Sequence, residues 1–405
     1  MAKLSSSNGK KANVPKLRFP EFSEEWKASN IGEISTYIKG APLSKADISE
    51  TGTPFILYGE LYTTYKEVAT EIKRKTNCIV DKKYLSKIGD VVIPTSGETP
   101  EEIATATCVM TPNVILAGDL NIFRINDIDG RFFSYVINHK VNKDISRIAQ
   151  GKSIVHIKGE EISKIQIKYP SDEEQQKILS FIKLLSLKIE KQEQLIDKLK
   201  KYKRGLINEI LSERVKLSAD KWITCRIGDF LCPKSVKQLP SEDAPLMAFT
   251  STSGVCEKGE RYDRGFLVKD VTTKMYKRTD YGDFIYSSNN IDVGSIGLNL
   301  YGAAVISDVY EIFSIRYADP WFISETIQQK KVIHNILKYR QGCLYGQYRI
   351  YAEDFMSVHI RVPTLNIQKK IGSIFSQINR RITSEQNLLY WLEKIRASLL
   401  QQLFI

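Results

Sequence analysis

The side chains of this sequence that suit chemistry sit in polar loops, and the chemistry they suit is hydrogen bonding. Thr95-Ser96-Gly97-Glu98-Thr99 follows the apolar run Gly89-Asp90-Val91-Val92-Ile93, and Ser287-Ser288-Asn289-Asn290 follows the matching run Gly282-Asp283-Phe284-Ile285-Tyr286. A second pair of loops follows two Gln-Gly steps. One is Gly151-Lys152-Ser153, and the other runs from Gly342 through Tyr345, Gln347, Tyr348 and Arg349. Hydroxyl, amide and guanidinium groups of this kind bond base edges and phosphate oxygens. They also make ordinary polar turns. Their return at matching places in two parts of one chain favours a binding surface. Lys73-Arg74-Lys75 adds a basic run suited to phosphate.

Covalent chemistry has no such candidates. The six cysteines are scattered without a Cys-x-x-Cys pair, and the four histidines stand alone, so no metal site is expected and the thiols read as buried and free. There is no phosphate-cradling Gly-x-x-x-x-Gly-Lys-Ser/Thr and no Pro-Pro step of the kind that amino-methylating enzymes carry. The net charge of +12 favours a polyanionic partner. No apolar run approaches membrane-spanning length and nothing resembles a signal peptide, so a cytoplasmic protein is expected. Residues 1–14 read as a disordered tail.

These loops must be held by something, and the sequence repeats its scaffold. Pro170-Ser171-Asp172-Glu173-Glu174-Gln175 opens one long amphipathic stretch, and Pro363-Thr364-Leu365-Asn366-Ile367-Gln368 opens another 193 residues later. Ile178, Ile182, Leu185, Ile189, Ile196, Leu199, Leu206 and Ile210 fall on alternating steps of three and four. So do Ile371, Phe375, Ile378, Ile382, Leu389, Leu392, Leu399 and Leu403. Each is a heptad seam, and a helix of this length spans roughly 60 Å. One narrow apolar seam needs a partner helix, and the other copy supplies it. The repeat extends outward: Trp26 with Ile31-Gly32 matches Trp222 with Ile227-Gly228, and Glu161–Ile167 matches Asp354–Ile360. Residues 36–80 and 232–273 share little, so one frame carries two different surfaces. Short strands and one helix per copy, near 130–142 and 320–338, predict a mixed α/β domain before each long helix. A self-contained DNA methyltransferase and a coiled-coil adaptor remain competing readings of these residues.

The sequence resembles the specificity subunit of Type I restriction-modification systems over nearly its whole length. Pro15-Lys16-Leu17-Arg18-Phe19-Pro20 before Trp26, the two Ile-Gly steps, Gly151-Lys152-Ser153 and the two Pro-to-Gln helix openings carry the likeness. The family opening resembles Pro-x-x-x-Glu-Gln-x-x-Ile; the first copy keeps Glu174-Gln175, and the second has Ile367-Gln368. The resemblance implies two α/β target-recognition domains, 15–170 and 213–362, joined by two long helices, 171–212 and 363–405, packed as an antiparallel coiled coil with an internal pseudo-two-fold repeat. It implies a non-catalytic chain active in phage defence. Each domain would read half of a bipartite, asymmetric target in double-stranded DNA, and the helix pair would fix the spacer. Two modification subunits and translocating restriction subunits would be its partners. S-adenosylmethionine, ATP and Mg would be bound by those partners and none by this chain.

The seam also carries a register expectation. Gln192 and Lys203 interrupt the first seam, Glu385 and Arg396 the second. Polar seam residues commonly set register. Pairing Lys203 with Glu385 and Gln192 with Arg396 would satisfy the charges.

Overall fold

The computed structural model describes residues 3–4, 13–151, 155–215, 221–250, 254–257, 274–289, 291–293, 295–342 and 348–405. It divides into two compact units, 1–192 with 388–405, and 193–387. The divisions fall inside the two long helices, so each unit is one α/β domain with parts of both helices.

In the first unit, a five-stranded sheet has the order Ser35–Lys39, Leu120–Ile125, Asp90–Pro94, Thr107–Val109, Val68–Ala69. Its middle strands bury nearly every side chain, which suits their β-branched and aromatic composition. A helical segment, Gly130–Val136 continuing through a π turn, Ile137–Val141, to Asn142–Ile148, covers one face. It is longer than the 130–142 expected. The domain closes on itself where Lys27–Asn30 pairs antiparallel with Gln166–Tyr169, joining its beginning to its end.

The second unit repeats the plan. Its sheet runs Leu231–Lys234, Tyr310–Ile315, Phe284–Ser287, Ile296–Leu298, and Ile223–Arg226 pairs with His359–Val362 to close the domain. The helix expected at 320–338 is two, Pro320–Ile327 and Lys330–Leu337, broken at Gln328-Gln329. The Ile-Gly steps have a physical reason in both units. A Cβ on Gly32 would come within 3.1 Å of Ser163 Cβ, and one on Gly228 within 3.1 Å of Met356 Cβ.

The long helices are Asp172–Leu211 and Leu365–Leu403. In the first unit Ile178, Leu179 and Ile182 share a core with Leu400, Leu403 and Phe404. In the second, Ile207 and Ile210 share one with Ile367, Ile371 and Phe375. The start of each helix lies with the end of the other, so the two run antiparallel. The seam positions Ile182, Ile196 and Ile382 are buried, and Leu185, Ile189, Leu199, Ile378, Leu389 and Leu392 are half-buried.

Two expectations are corrected here. Of the cysteines only Cys108 is buried; Cys78, Cys225, Cys232 and Cys256 are half-exposed, and Cys343 lies outside the described residues. Of the supposed tail, Lys3–Leu4 pairs with Leu17–Arg18, while 1–2 and 5–12 lie outside the described residues.

Candidate nucleic-acid interface

In the first domain the basic run Lys73-Arg74-Lys75 divides in two. The segment is extended where the Phe55 N–H donates to the Arg74 carbonyl and Lys75 enters a strand. Lys73 and Lys75 are both exposed and do not line the cleft that holds Arg74. Arg74 lines this cleft of about 940 Å³ together with Lys39, Lys45, Tyr58, Tyr62 and Glu60. Its Nε donates to Glu60 Oε1 at 2.7 Å. The loop that follows the central strand behaves otherwise than its composition suggests. Ser96 and Gly97 form a short strand against Val155–His156 and are buried, and Ser96 Oγ donates to Asp119 at 2.8 Å. Thr99 caps the helix Pro100–Ile103, and the Glu98 N–H donates to Glu102. This stretch builds the domain and leaves Glu98 and Thr99 exposed. Lys152 and Ser153 lie outside the described residues.

The second domain gives a parallel result. Ser287 and Ser288 are buried, and Ser288 Oγ donates to the Val309 carbonyl at 3.1 Å. Asn289 is half-exposed, and Asn290, Tyr345 and Gln347 lie outside the described residues. Tyr348 and Arg349 form a short strand. Tyr348 is exposed under the Arg340 guanidinium, and Arg349 Nη2 donates to Glu311 at 3.2 Å. Lys277 Nζ holds the other oxygen of Glu311 at 2.9 Å. Each domain therefore backs one arginine of the expected site with a carboxylate, an arrangement that fixes where its remaining donors point.

The polar seam residues do not meet as expected. Lys203 Nζ pairs with Glu325 of the second domain at 2.7 Å and donates to Asn379 at 2.9 Å, not to Glu385. Glu385 pairs with Arg381 on its own helix. Arg396 reaches the first domain, where its Nη2 lies 3.0 and 3.2 Å from the two oxygens of Glu67, not opposite Gln192. His139, in the π turn, donates to the same carboxylate at 2.8 Å. Burial pushes the Glu67 carboxyl up, but the His139 hydrogen bond and the Arg396 charge outweigh it and bring it down to about 2. The physical reason for the failed register is that a half-buried cation takes the best-placed carboxylate, and here that carboxylate belongs to a domain. These two basic residues, 193 apart, tie each helix to the domain it crosses.

Residues 23–201 match the family model described as "Type I restriction modification DNA specificity domain". The chain is also 22% identical over 327 residues to the Type I restriction enzyme MjaIX specificity subunit of Methanocaldococcus jannaschii, covering 74% of this chain and 73% of that one. Its fold matches the Type I restriction-modification S subunit from M. genitalium with a TM-score of 0.62, at 15% identity, over 97% of this chain and 99% of that one. All three findings liken the chain to Type I restriction-modification specificity subunits, and the family model covers residues 23–201. A chain from a structure of the assembly and conformational transition of the type I R-M system shares the fold at a TM-score of 0.53 and 15% identity, over 94% of this chain and 97% of that one.

Among the described residues no helix is long and apolar enough to cross a membrane. The two helix openings work alike. Gln175 Oε1 accepts from the Asp129 N–H and its Nε2 donates to the Pro170 carbonyl; Gln368 does the same with Asp319 and Pro363. Asp129 and Asp319 cap the domain helices, so one glutamine fixes domain helix, strand end and long helix together. Glu174 differs from its counterpart. It accepts two hydrogen bonds from Arg18, at 2.8 and 2.7 Å, and one from Trp26 Nε1 at 3.3 Å, whereas Ile367 packs in an apolar core that includes Trp222. The helices also expose Leu184, Leu187, Leu388, Tyr390, Trp391 and Ile395.

Proposed function

We propose that each domain of this specificity subunit reads one half of a bipartite, asymmetric DNA target, that the antiparallel helices set the spacer between the halves, and that modification subunits dock on those helices. Methylation and restriction are then the work of partner subunits, which supply S-adenosylmethionine, ATP and Mg. The observation that carries this reading is the repeated frame with unlike surfaces. The closing ladder, the Ile-Gly contact and the glutamine lock recur in both units, while the first domain offers an Arg74 cleft and the second an Arg349 and Tyr348 edge. Identical frames keep two modules interchangeable, and unlike surfaces are what an asymmetric target requires. The exposed apolar side chains on the helices suit docking of a partner helix.

Exchanging residues 36–150 for those of another specificity subunit tests the reading. The methylated motif of the assembled complex is expected to change in one half and keep the other half and the spacer. A change in both halves together would contradict independent domains.

A further inference from the structure

We propose that Arg74 reads a guanine in one half of the DNA target, with Glu60 as the residue that aims it. The inference rests on the DNA-reading function proposed above and adds a residue and a base to it.

The argument begins with what Arg74 has left to give. A guanidinium carries five N–H donors in a planar fork. The Nε–H of Arg74 is taken by Glu60 Oε1 at 2.7 Å, and among the described residues its terminal nitrogens have no hydrogen-bond partner. Glu60 cannot follow the arginine if it moves. It is 4% exposed, and its other oxygen accepts from the Leu57 N–H at 3.1 Å. The Arg74 side chain keeps 38% of its exposure and lines the cleft. The result is a terminal pair of donors, set in direction and open to a ligand.

Two acceptors on neighbouring atoms suit such a pair, and DNA offers them as phosphate oxygens or as guanine O6 and N7. The Glu60 carboxylate decides between them. Its negative charge offsets the guanidinium charge, which weakens the pull on a phosphate that lacks shape discrimination. It leaves the directional donors intact, and these suit the neutral edge of a base. Lys39 and Lys45, exposed amines on the same cleft, are the better phosphate contacts because among the described residues neither makes an ion pair. Lys73 and Lys75 are exposed and do not line that cleft, so the basic run does not act as one patch.

The test uses the full chain assembled with its modification subunits. Methylated positions are mapped for wild type, R74A and R74K, and binding to the mapped site is followed across a salt series. R74K keeps a cation for Glu60 but not the fork. Both variants are expected to relax a single G·C position in one half of the motif, with discrimination there reduced on the order of 10- to 100-fold and the other half unchanged. The salt dependence is expected to stay as in wild type. An unchanged motif in R74K would overturn the proposal. So would uniform weakening on all sequences with a salt slope lower by about one, the mark of a phosphate contact. A wild-type motif whose halves contain no G·C pair would also overturn it. Failure of the underlying reading looks different: the wild-type complex would then yield no bipartite motif.

Discussion

Glu174 and Ile367 occupy the same place in the two copies, and they separate what a helix opening needs from what one domain adds. Glutamine at the next position serves both openings, so the lock does not depend on the acid. Glu174 is 1% exposed and its partner Arg18 13%, which makes the pair a buried one. Replacing Glu174 by Ala should destabilise the first unit by about 3–5 kcal/mol, because Arg18 then keeps a buried charge without a partner. The double change Arg18→Leu with Glu174→Ile copies the apolar second opening. It should cost only about 1–3 kcal/mol, the penalty of leaving the buried Trp26 N–H unpaired. Urea unfolding of the three proteins checks the order. Glu67 supplies a pH signature at the same scale. Its carboxyl falls from an ordinary 4.5 to about 2 in the folded chain. The stabilisation is therefore complete above about pH 4.5 and is lost as pH falls through about 2, with a total on the order of 3 kcal/mol. Subtracting the unfolding free energies of Glu67→Gln from those of wild type across pH 2 to 5 should expose that slope, since other carboxylates cancel.

Among the elements, the two long helices were legible because a heptad seam is a local pattern that needs no knowledge of the partner. The seam does not fix their direction, and the antiparallel pairing was legible only through the resemblance to specificity subunits. The register was not, and Lys203 and Arg396 show why. Seam reasoning admits only the other helix as a partner, while Glu325 and Glu67 come from the domains, far away in sequence. The candidate interface was legible in part for a related reason. Composition marks Ser96 and Ser288 as available donors, yet both spend their hydroxyls inside the domain. Composition also joins Lys73, Arg74 and Lys75, of which only Arg74 lines the cleft. Glu60, Tyr58 and Tyr62 gave no signal, because only the fold brings them beside Arg74. The exposed Trp391, 61% accessible on a helix whose seam is already used, has a consequence for assembly. Trp391→Glu should leave the isolated chain folded, with unchanged circular dichroism, and should abolish co-elution with modification subunits. Normal co-elution would place docking elsewhere.

At the scale of the whole molecule, duplication explains the division of labour. On the proposed reading, one copy of the frame would offer a single half-site and a single unpaired seam. Two copies supply each other's missing helix and let two surfaces diverge without disturbing the shared ladder, glycine contact and glutamine lock. On the proposed reading, a chain of net charge +12 would gain affinity for DNA of any sequence, so selectivity would rest on directional groups such as Arg74 and Arg349 and not on charge. The most direct measurement is a genome-wide map of methylated bases in the parent strain and in a strain lacking only this gene. The account predicts that one bipartite, asymmetric motif with a fixed spacer is methylated in the parent, vanishes in the deletion, and returns when this chain alone is restored. Survival of every methylated motif in the deletion strain would contradict it, and so would loss of a single continuous motif with no spacer.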